Sequence, residues 1–149
     1  MEIKILEACR NDAETIIDFQ QKMAVETEGM VLDPIIISSG VNAVFKDPSK
    51  GRYYIAADNN KVVASLLITY EWSDWRNSYI WWFQSVYVLP EYRRKGIFSR
   101  MYDFIKYLAL SNKVAGLRLY VESDNRTAMK TYEAMGMNGD HYKLFEWLK

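Results

Sequence analysis

Between Tyr79 and Leu89 the chain reads YIWWFQSVYVL, apolar or aromatic at nearly every position, and the run stops at Pro90. A strand with one wet face alternates apolar and polar residues, whereas one without alternation is covered on both faces and lies inside a sheet. Proline has no N–H for the ladder, so Pro90 ends this strand. A buried strand of this kind needs material above and below it, which predicts a sheet with helices on both faces.

The flanking sequence supplies those layers. Met1 to Ala8 reads as a short first strand, with Ile3 and Ile5 alternating against Lys4. Asn11 or Asp12 can cap a helix whose apolar positions Ile16, Ile17, Phe19, Met23 and Ala24 recur at helical spacing, and which ends over Glu26 to Gly29. Pro34 suits the opening of a second helix through about Phe45. Asp47-Pro48-Ser49-Lys50-Gly51 is a turn by composition. Arg52 to Ala57 and Lys61 to Tyr70 read as strands joined at Asn59-Asn60, and Trp72 to Asn77 as a polar-aromatic loop. A helix is predicted from near Gly96 to about Ser111, with an apolar stripe of Ile97, Met101, Ile105 and Leu108. Leu117 to Val121 is a short strand. Asn125 caps a helix through Met135 with Gly136 as its stop, and HYKLFEWLK at the end reads as a last strand. The expected fold class is α/β (α+β): a mixed central sheet of about six or seven strands with helices on both faces, in one domain over residues 1–149.

Composition narrows the function. Half of the 149 residues are hydrophobic and the formal net charge is zero. That excludes a disordered chain and fits a domain burying about 70% of its unfolded surface. With nineteen basic and nineteen acidic residues, no global field recruits nucleic acid or anionic lipid. No run reaches the ~20 apolar residues of a membrane span, and MEIKILEAC lacks the pattern of a secretory signal. The single Cys9 makes no internal disulfide, in keeping with a reducing cytoplasm. One Cys and one His cannot form a Cys/His zinc site, and no Gly-x-Ser-x-Gly turn accompanies His141. The expectation is therefore chemistry with no metal and no His-activated nucleophile.

The segment Val86 to Tyr102, VYVLPEYRRKGIFSRMY, carries the strongest chemical signal. The buried strand ends, and a basic loop containing Gly96 leads directly into a helix. The N–H groups of a first helical turn have no internal partner and carry partial positive charge. Arg93, Arg94 and Lys95 add full charges, and Gly96 lets the backbone come close to a bulky ligand. Residues 91–100 hold four bases against one acid in a neutral protein. The spacing of neither the Walker loop nor the dinucleotide-binding glycine motif is present, which disfavours a nucleoside triphosphate or a nicotinamide dinucleotide.

Arg93-Arg94-Lys95-Gly96-Ile97-Phe98, following Val86-Tyr87-Val88-Leu89-Pro90, resembles the pyrophosphate loop of the GNAT N-acetyltransferases, Arg/Gln-x-x-Gly-x-Gly/Ala after a strand ending in Val-x-Pro or similar. Asn125, Ala128 and Tyr132 resemble the family's later Asn-x-x-Ala-x-x-x-Tyr, followed here by Met135-Gly136-Met137. The two motifs stand in the family's order, and the resemblance covers essentially the whole chain. One departure is Phe98, where the family usually has Gly or Ala. A side chain there can crowd the phosphate or turn into the core, and it leaves acyl selectivity open.

The resemblance implies transfer of an acetyl group from acetyl-CoA, as co-substrate, to a primary amine that attacks the thioester directly. It implies that the amides of Arg94, Lys95, Gly96, Ile97, Phe98 and Ser99 hold the pyrophosphate. Val86, Tyr87 and Val88 would offer a strand edge to the pantetheine arm, and a backbone N–H of that strand would face the developing oxyanion. Tyr132 is the candidate acid for the leaving thiolate; alone, it would read as a core tyrosine on a helix. Asn125 reads equally as a plain helix cap. Candidates for the base are Glu26 and Glu28 at the end of the first helix, and for acceptor contacts Glu71, Trp72, Trp75 and Gln84. Each of these carboxylates taken alone reads more simply as a solvated surface group. The aromatic loop reads equally as edge packing or a dimer contact. Trp81 and Trp82 read as core. The competing expectations are a non-catalytic acyl-CoA-binding sensor and, against the neutral charge, a nucleic-acid or peptide-binding module. A homodimer is a candidate assembly.

Overall fold

The computed structural model describes residues 1–149, in two compact units, Met1–Leu119 and Tyr120–Lys149. The first unit holds strands β1 (Ile3–Glu7), β2 (Arg52–Asp58), β3 (Lys61–Ser73), β4 (Ser78–Val88) and β5 (Gly116–Leu119), with helices α1 (Ala13–Glu28), α2 (Pro34–Lys46) and α3 (Ile97–Ser111). The sheet order is β1-β2-β3-β4-β5. β1 to β4 pair antiparallel in sequence, and β5 joins β4 in parallel. The result is the expected mixed α/β sheet, with five strands rather than six or seven.

Side-chain alternation in β2 fixes the layers. Successive residues of a strand point to opposite faces. Tyr53 meets Phe45 of α2 with ring centroids 5.6 Å apart, while Tyr54 meets Phe104 of α3 at 6.1 Å. On one face Ala13 and Ile16 of α1 pack with Val41 of α2 and with Tyr53 and Ile55. On the other, α3 buries Ile97, Met101 and Ile105, its predicted stripe, while Arg100, Asp103 and Lys106 stay exposed.

Local chemistry sets the element ends. Gly29 takes a left-handed φ of 62° after α1, and its N–H reaches Val25 O at 3.1 Å. Asp33 caps α2 by accepting from Ile35 N at 2.9 Å, ahead of Pro34. Asn59 and Asn60 both adopt positive φ, 46° and 72°, which matches the twist of the β2–β3 hairpin. Gly51 is a position of close approach: a Cβ there would lie 2.6 Å from Ile68 O.

Three expectations need correction. The loop after β3 is shorter than predicted, because β3 continues through Ser73 and β4 begins at Ser78. Trp72 is a strand residue whose ring meets Tyr79 at 5.1 Å, and that cross-strand pair extends the hairpin. Trp81 and Trp82 are half-buried rather than core, since Trp81 faces Tyr70 of the same sheet and Trp82 faces Glu71.

The third correction lies in the second unit. It contains α4 (Arg126–Ala134) and no strand. Residues 141–149 have β-prone composition, but a strand exists only through a ladder partner. Tyr142, Leu144, Phe145, Trp147 and Leu148 are instead exposed. No helix of the chain is long and apolar enough to cross a membrane.

Candidate functional site

β4 is regular until Phe83. Its partners then shift from Leu67↔Gln84 to Ser65↔Tyr87, so β4 carries one extra residue relative to β3, with Ser85 at φ 51°. Such a bulge bends a strand and sharpens its twist. On the other side, the last β4–β5 pair is Phe83↔Leu119. From Gln84 to Val88 the strand therefore has a ladder toward β3 only. Its opposite edge presents backbone donors and acceptors, which is what an extended amide-bearing ligand can pair with. Val86, Tyr87 and Val88 all lie on this open stretch.

The chain leaves β4 through a single 3₁₀ turn, Pro90–Tyr92, and enters α3. Arg94 and Gly96 take positive φ values of 61° and 75°. Donation in the helix begins with Arg100 N to Gly96 O at 3.1 Å. The amides of Gly96, Ile97 and Ser99 thus precede the first helical hydrogen bond, and the positive end of the helix lies beside the basic turn. This geometry fits an anionic ligand, and Arg94 and Lys95, both exposed, make no salt bridge that would compete. Phe98 does not project over the turn alone: its ring meets Phe83 edge-on at 6.1 Å, toward the sheet.

Side chains from distant elements anchor the turn. Tyr92 Oη donates to Asp58 Oδ2 at 2.9 Å, and Lys61 and Lys95 each lie 5.5 Å from the Tyr92 ring. Arg93 Nε donates to Val88 O at 2.8 Å, and its Nη2 reaches Glu26 Oε2 at 2.7 Å. Tyr87 Oη donates to the other oxygen of Glu26 at 3.1 Å, and the guanidinium lies 5.4 Å from the Tyr87 ring. The Arg93 bond holds the Glu26 carboxyl below its ordinary range, helped by the Tyr87 bond. Burial, followed by the neighbouring carboxylate, pushes the Tyr87 hydroxyl up. A carboxylate held in its charged form is a weaker proton acceptor. Glu28, at the end of the same helix, is exposed.

The remaining acceptor candidates divide between faces. Glu71 accepts from Trp82 Nε1 and Arg118 Nη1, each at 2.9 Å. Gln84 donates to Thr69 Oγ1 at 2.6 Å. Alternation along β3 puts Glu71 and Thr69 on one face and Trp72 on the other. The structure therefore brings Glu71 and Gln84 to one side of the sheet but not Trp72, while Trp75 stands at the hairpin tip, 93% exposed. The links Glu26–Arg93, Tyr92–Asp58 and Arg118–Glu71 were not legible in the sequence. They join residues 67, 34 and 47 positions apart, with no local spacing to signal them.

In the second unit, Asn125 Oδ1 accepts from Ala128 N at 3.2 Å, which makes the expected cap of α4. Positions 125, 128 and 132 fall on one helical face. Burial raises the Tyr132 hydroxyl above its ordinary 10.0, so it is protonated at neutral pH. Gly136, at φ 91°, ends the helix, with Met137 N reaching back to Tyr132 O at 3.0 Å.

Comparison with known proteins finds acetyltransferases. The profile of the acetyltransferase (GNAT) family matches residues 14–137. Thialysine N-epsilon-acetyltransferase of Bos taurus is 38% identical over 77 residues, which is 50% of this chain and 44% of that protein. The chain thus spans less than half the length of that curated relative. A possible acetyltransferase from Clostridium difficile 630 superposes with a TM-score of 0.91 at 43% identity, over 100% of this chain and 99% of that one. A predicted acetyltransferase with acetyl-CoA from Clostridium acetobutylicum superposes with a TM-score of 0.75 at 16% identity, over 97% and 96% of the two chains, a likeness of fold.

Proposed function

Since the chain belongs to the acetyltransferase (GNAT) family, we propose that it moves the acetyl group of acetyl-CoA to a primary amine by direct attack within a ternary complex. The observation that carries this reading is the conjunction at β4. A strand edge open from Gln84 to Val88 continues into a basic turn and a helix start whose amides have no intrahelical acceptor. These features match the two ends of a long ligand that has amides in its arm and a pyrophosphate at its base.

In this reading the amides of Arg94 to Ser99 hold the pyrophosphate, with the charges of Arg94 and Lys95 beside them. Backbone groups of Val86 to Val88 pair with the pantetheine arm, and an N–H of the same stretch stabilises the oxyanion as the amine adds to the thioester carbonyl. Asn125 and Ala128 contribute to the cofactor site from the start of α4. Tyr132 gives its proton to the departing thiolate; burial keeps the phenol in its protonated form, so the proton is there to give, though from a weaker acid. The proton lost by the attacking ammonium goes to a carboxylate at the end of α1. Glu28 is the better of the two there, because Glu26 is engaged with Arg93. Glu71 and Gln84 offer the acceptor polar contacts from one face of the sheet, while Trp72, on the other face, and Trp75, at the hairpin tip, stand apart from them. No step calls for a metal.

The test is incubation with acetyl-CoA and an amine panel, following free thiol and the mass of the acetylated amine. The panel begins with thialysine, on which the bovine relative acts, and extends to lysine, polyamines and aminoglycosides. Thiol release matched by an acetylated amine supports the proposal. Tight CoA binding with no turnover across the panel would instead favour an acyl-CoA sensor.

The proposal extends to a cytoplasmic setting, in keeping with the exposed free thiol of Cys9. It also extends to a homodimer, supported by the exposed apolar side chains near the C-terminus, Phe145 at 92% and Trp147 at 88%.

A further inference from the structure

Arg93 opens the basic run that reads as a phosphate contact, yet its guanidinium is already used three ways. It donates through Nε to Val88 O at 2.8 Å and through Nη2 to Glu26 at 2.7 Å, and it lies over the Tyr87 ring. Glu26 in turn is held from its other oxygen by Tyr87 Oη at 3.1 Å. Tyr87 is itself buried, with its ring 5.1 Å from Phe19 of α1. Two anchored groups therefore fix the carboxylate, and the carboxylate fixes the arginine. Arg94 and Lys95 are exposed, as Arg93 is, but make no salt bridge.

We propose that Glu26 and Tyr87 are positioning residues that lock Arg93 as a brace between α1 and the end of β4, so that the turn before α3 is set for the pyrophosphate by Arg93 and contacted by Arg94 and Lys95. The physical basis is the fork of the guanidinium. It can bond a backbone carbonyl and a carboxylate at once along fixed directions, which an ammonium cannot do. With the brace closed, the α3 amides and the open edge of β4 keep one relative geometry before the ligand arrives. That lowers the ordering cost of binding. Without it, the turn retains its charge but loses its preset shape. This inference rests on the reading of the turn as the CoA phosphate site.

Calorimetric titration of the full chain with CoA tests it, using Glu26→Gln, Arg93→Lys and the double variant, with Tyr87→Phe alongside. Glu26→Gln and Arg93→Lys are each expected to weaken CoA by about fivefold, the upper scale of a partly exposed ion pair. The double variant is expected to lose little more than either single change, because the two residues form one device. Tyr87→Phe removes a hydroxyl and nothing else, and is expected to weaken CoA by about threefold, the scale of one neutral hydrogen bond. It keeps the test open if Glu26→Gln lowers the melting temperature. In acetyl transfer, the Glu26→Gln defect is expected in KM for acetyl-CoA, with the acid limb of the pH–rate profile still present.

Arg93→Lys binding CoA as tightly as wild type would make Arg93 a simple charge contact and overturn the brace. So would additive losses in the double variant. Loss of the acid limb in Glu26→Gln with unchanged CoA affinity would make Glu26 the base instead. Absence of CoA binding by the wild-type protein would overturn the phosphate-site reading itself, an outcome distinct from these three.

Discussion

At the scale of single residues, the helix cap at Asn125 was legible because its partner Ala128 lies three positions on in the same segment. Tyr132→Phe is expected to lower turnover by about 10²-fold, the usual worth of a positioned acid. CoA affinity should stay within about twofold of wild type, and steady-state kinetics set beside titration will show which parameter moves. Glu26 is different, because its sequence position near the end of α1 suggested a base and its partners were invisible. Its carboxyl pKa is depressed below the ordinary 4.5, chiefly by Arg93. A depressed carboxylate contributes its interaction above its unfolded pKa and loses it as pH falls through the folded one. Release of Arg93 by protonated Glu26 is therefore expected only as pH falls below the ordinary glutamate range, as a loss of CoA affinity beyond that from protonation of the ligand's own phosphate at about pH 6. Titrations across acid pH check this, and Glu26→Gln should flatten the change.

At the scale of elements, strand and helix identities from β1 to α4 followed from periodicity and caps, while strand ends and the missing C-terminal strand depended on neighbours. The bulge at Ser85 has no glycine or proline to mark it. It arises from the misfit of two registers on β3, a property of paired strands rather than of one segment. The turn between α2 and β2 was legible from Asp47 to Gly51, and two predictions belong to it. Asp47 accepts from Ser49 Oγ at 2.6 Å and from Lys50 Nζ at 3.1 Å, and these bonds hold its carboxyl at about 2. An NMR titration should find Asp47 charged until well below the ordinary aspartate range. The help it gives the turn is then present above its unfolded pKa and lost as pH falls toward about 2. Gly51→Ala is expected to destabilise the fold by about 1–3 kcal/mol, read as a lower melting temperature. Its φ of 150° and the 2.6 Å approach to Ile68 O leave no room for a Cβ.

At the scale of the whole molecule, zero net charge hides a strongly uneven distribution. The exposed cations Arg94 and Lys95 lie at one helix start, while Arg93 is paired internally. CoA binding is accordingly expected to weaken with added salt, as surface charge interactions are screened. Titrations at low and moderate ionic strength measure this. The exposed apolar side chains of Tyr142, Leu144, Phe145, Trp147 and Leu148 predict association between copies. Light scattering after size exclusion is expected to report a dimer, and Phe145→Asp with Trp147→Asp to shift it toward monomer.

The sequence by itself determined the α/β class, the strand that stops at Pro90 and the basic glycine turn at a helix start, along with the family those motifs resemble. Each is a local pattern, set by periodicity, a proline, a glycine or fixed spacing within one segment. That the strand is half-buried and forms an open edge beyond Phe83, rather than lying covered inside the sheet, came from its neighbours. The tertiary structure decided what depends on distant partners. It gave the sheet five strands, because the C-terminal run has no ladder partner. It opened β4 beyond Phe83, where β5 stops pairing, and it turned Arg93 from one of three equivalent charges into a side chain held by Glu26 and Val88. Those outcomes depend on which groups meet across the fold, and separations of tens of residues leave no periodic trace in the chain.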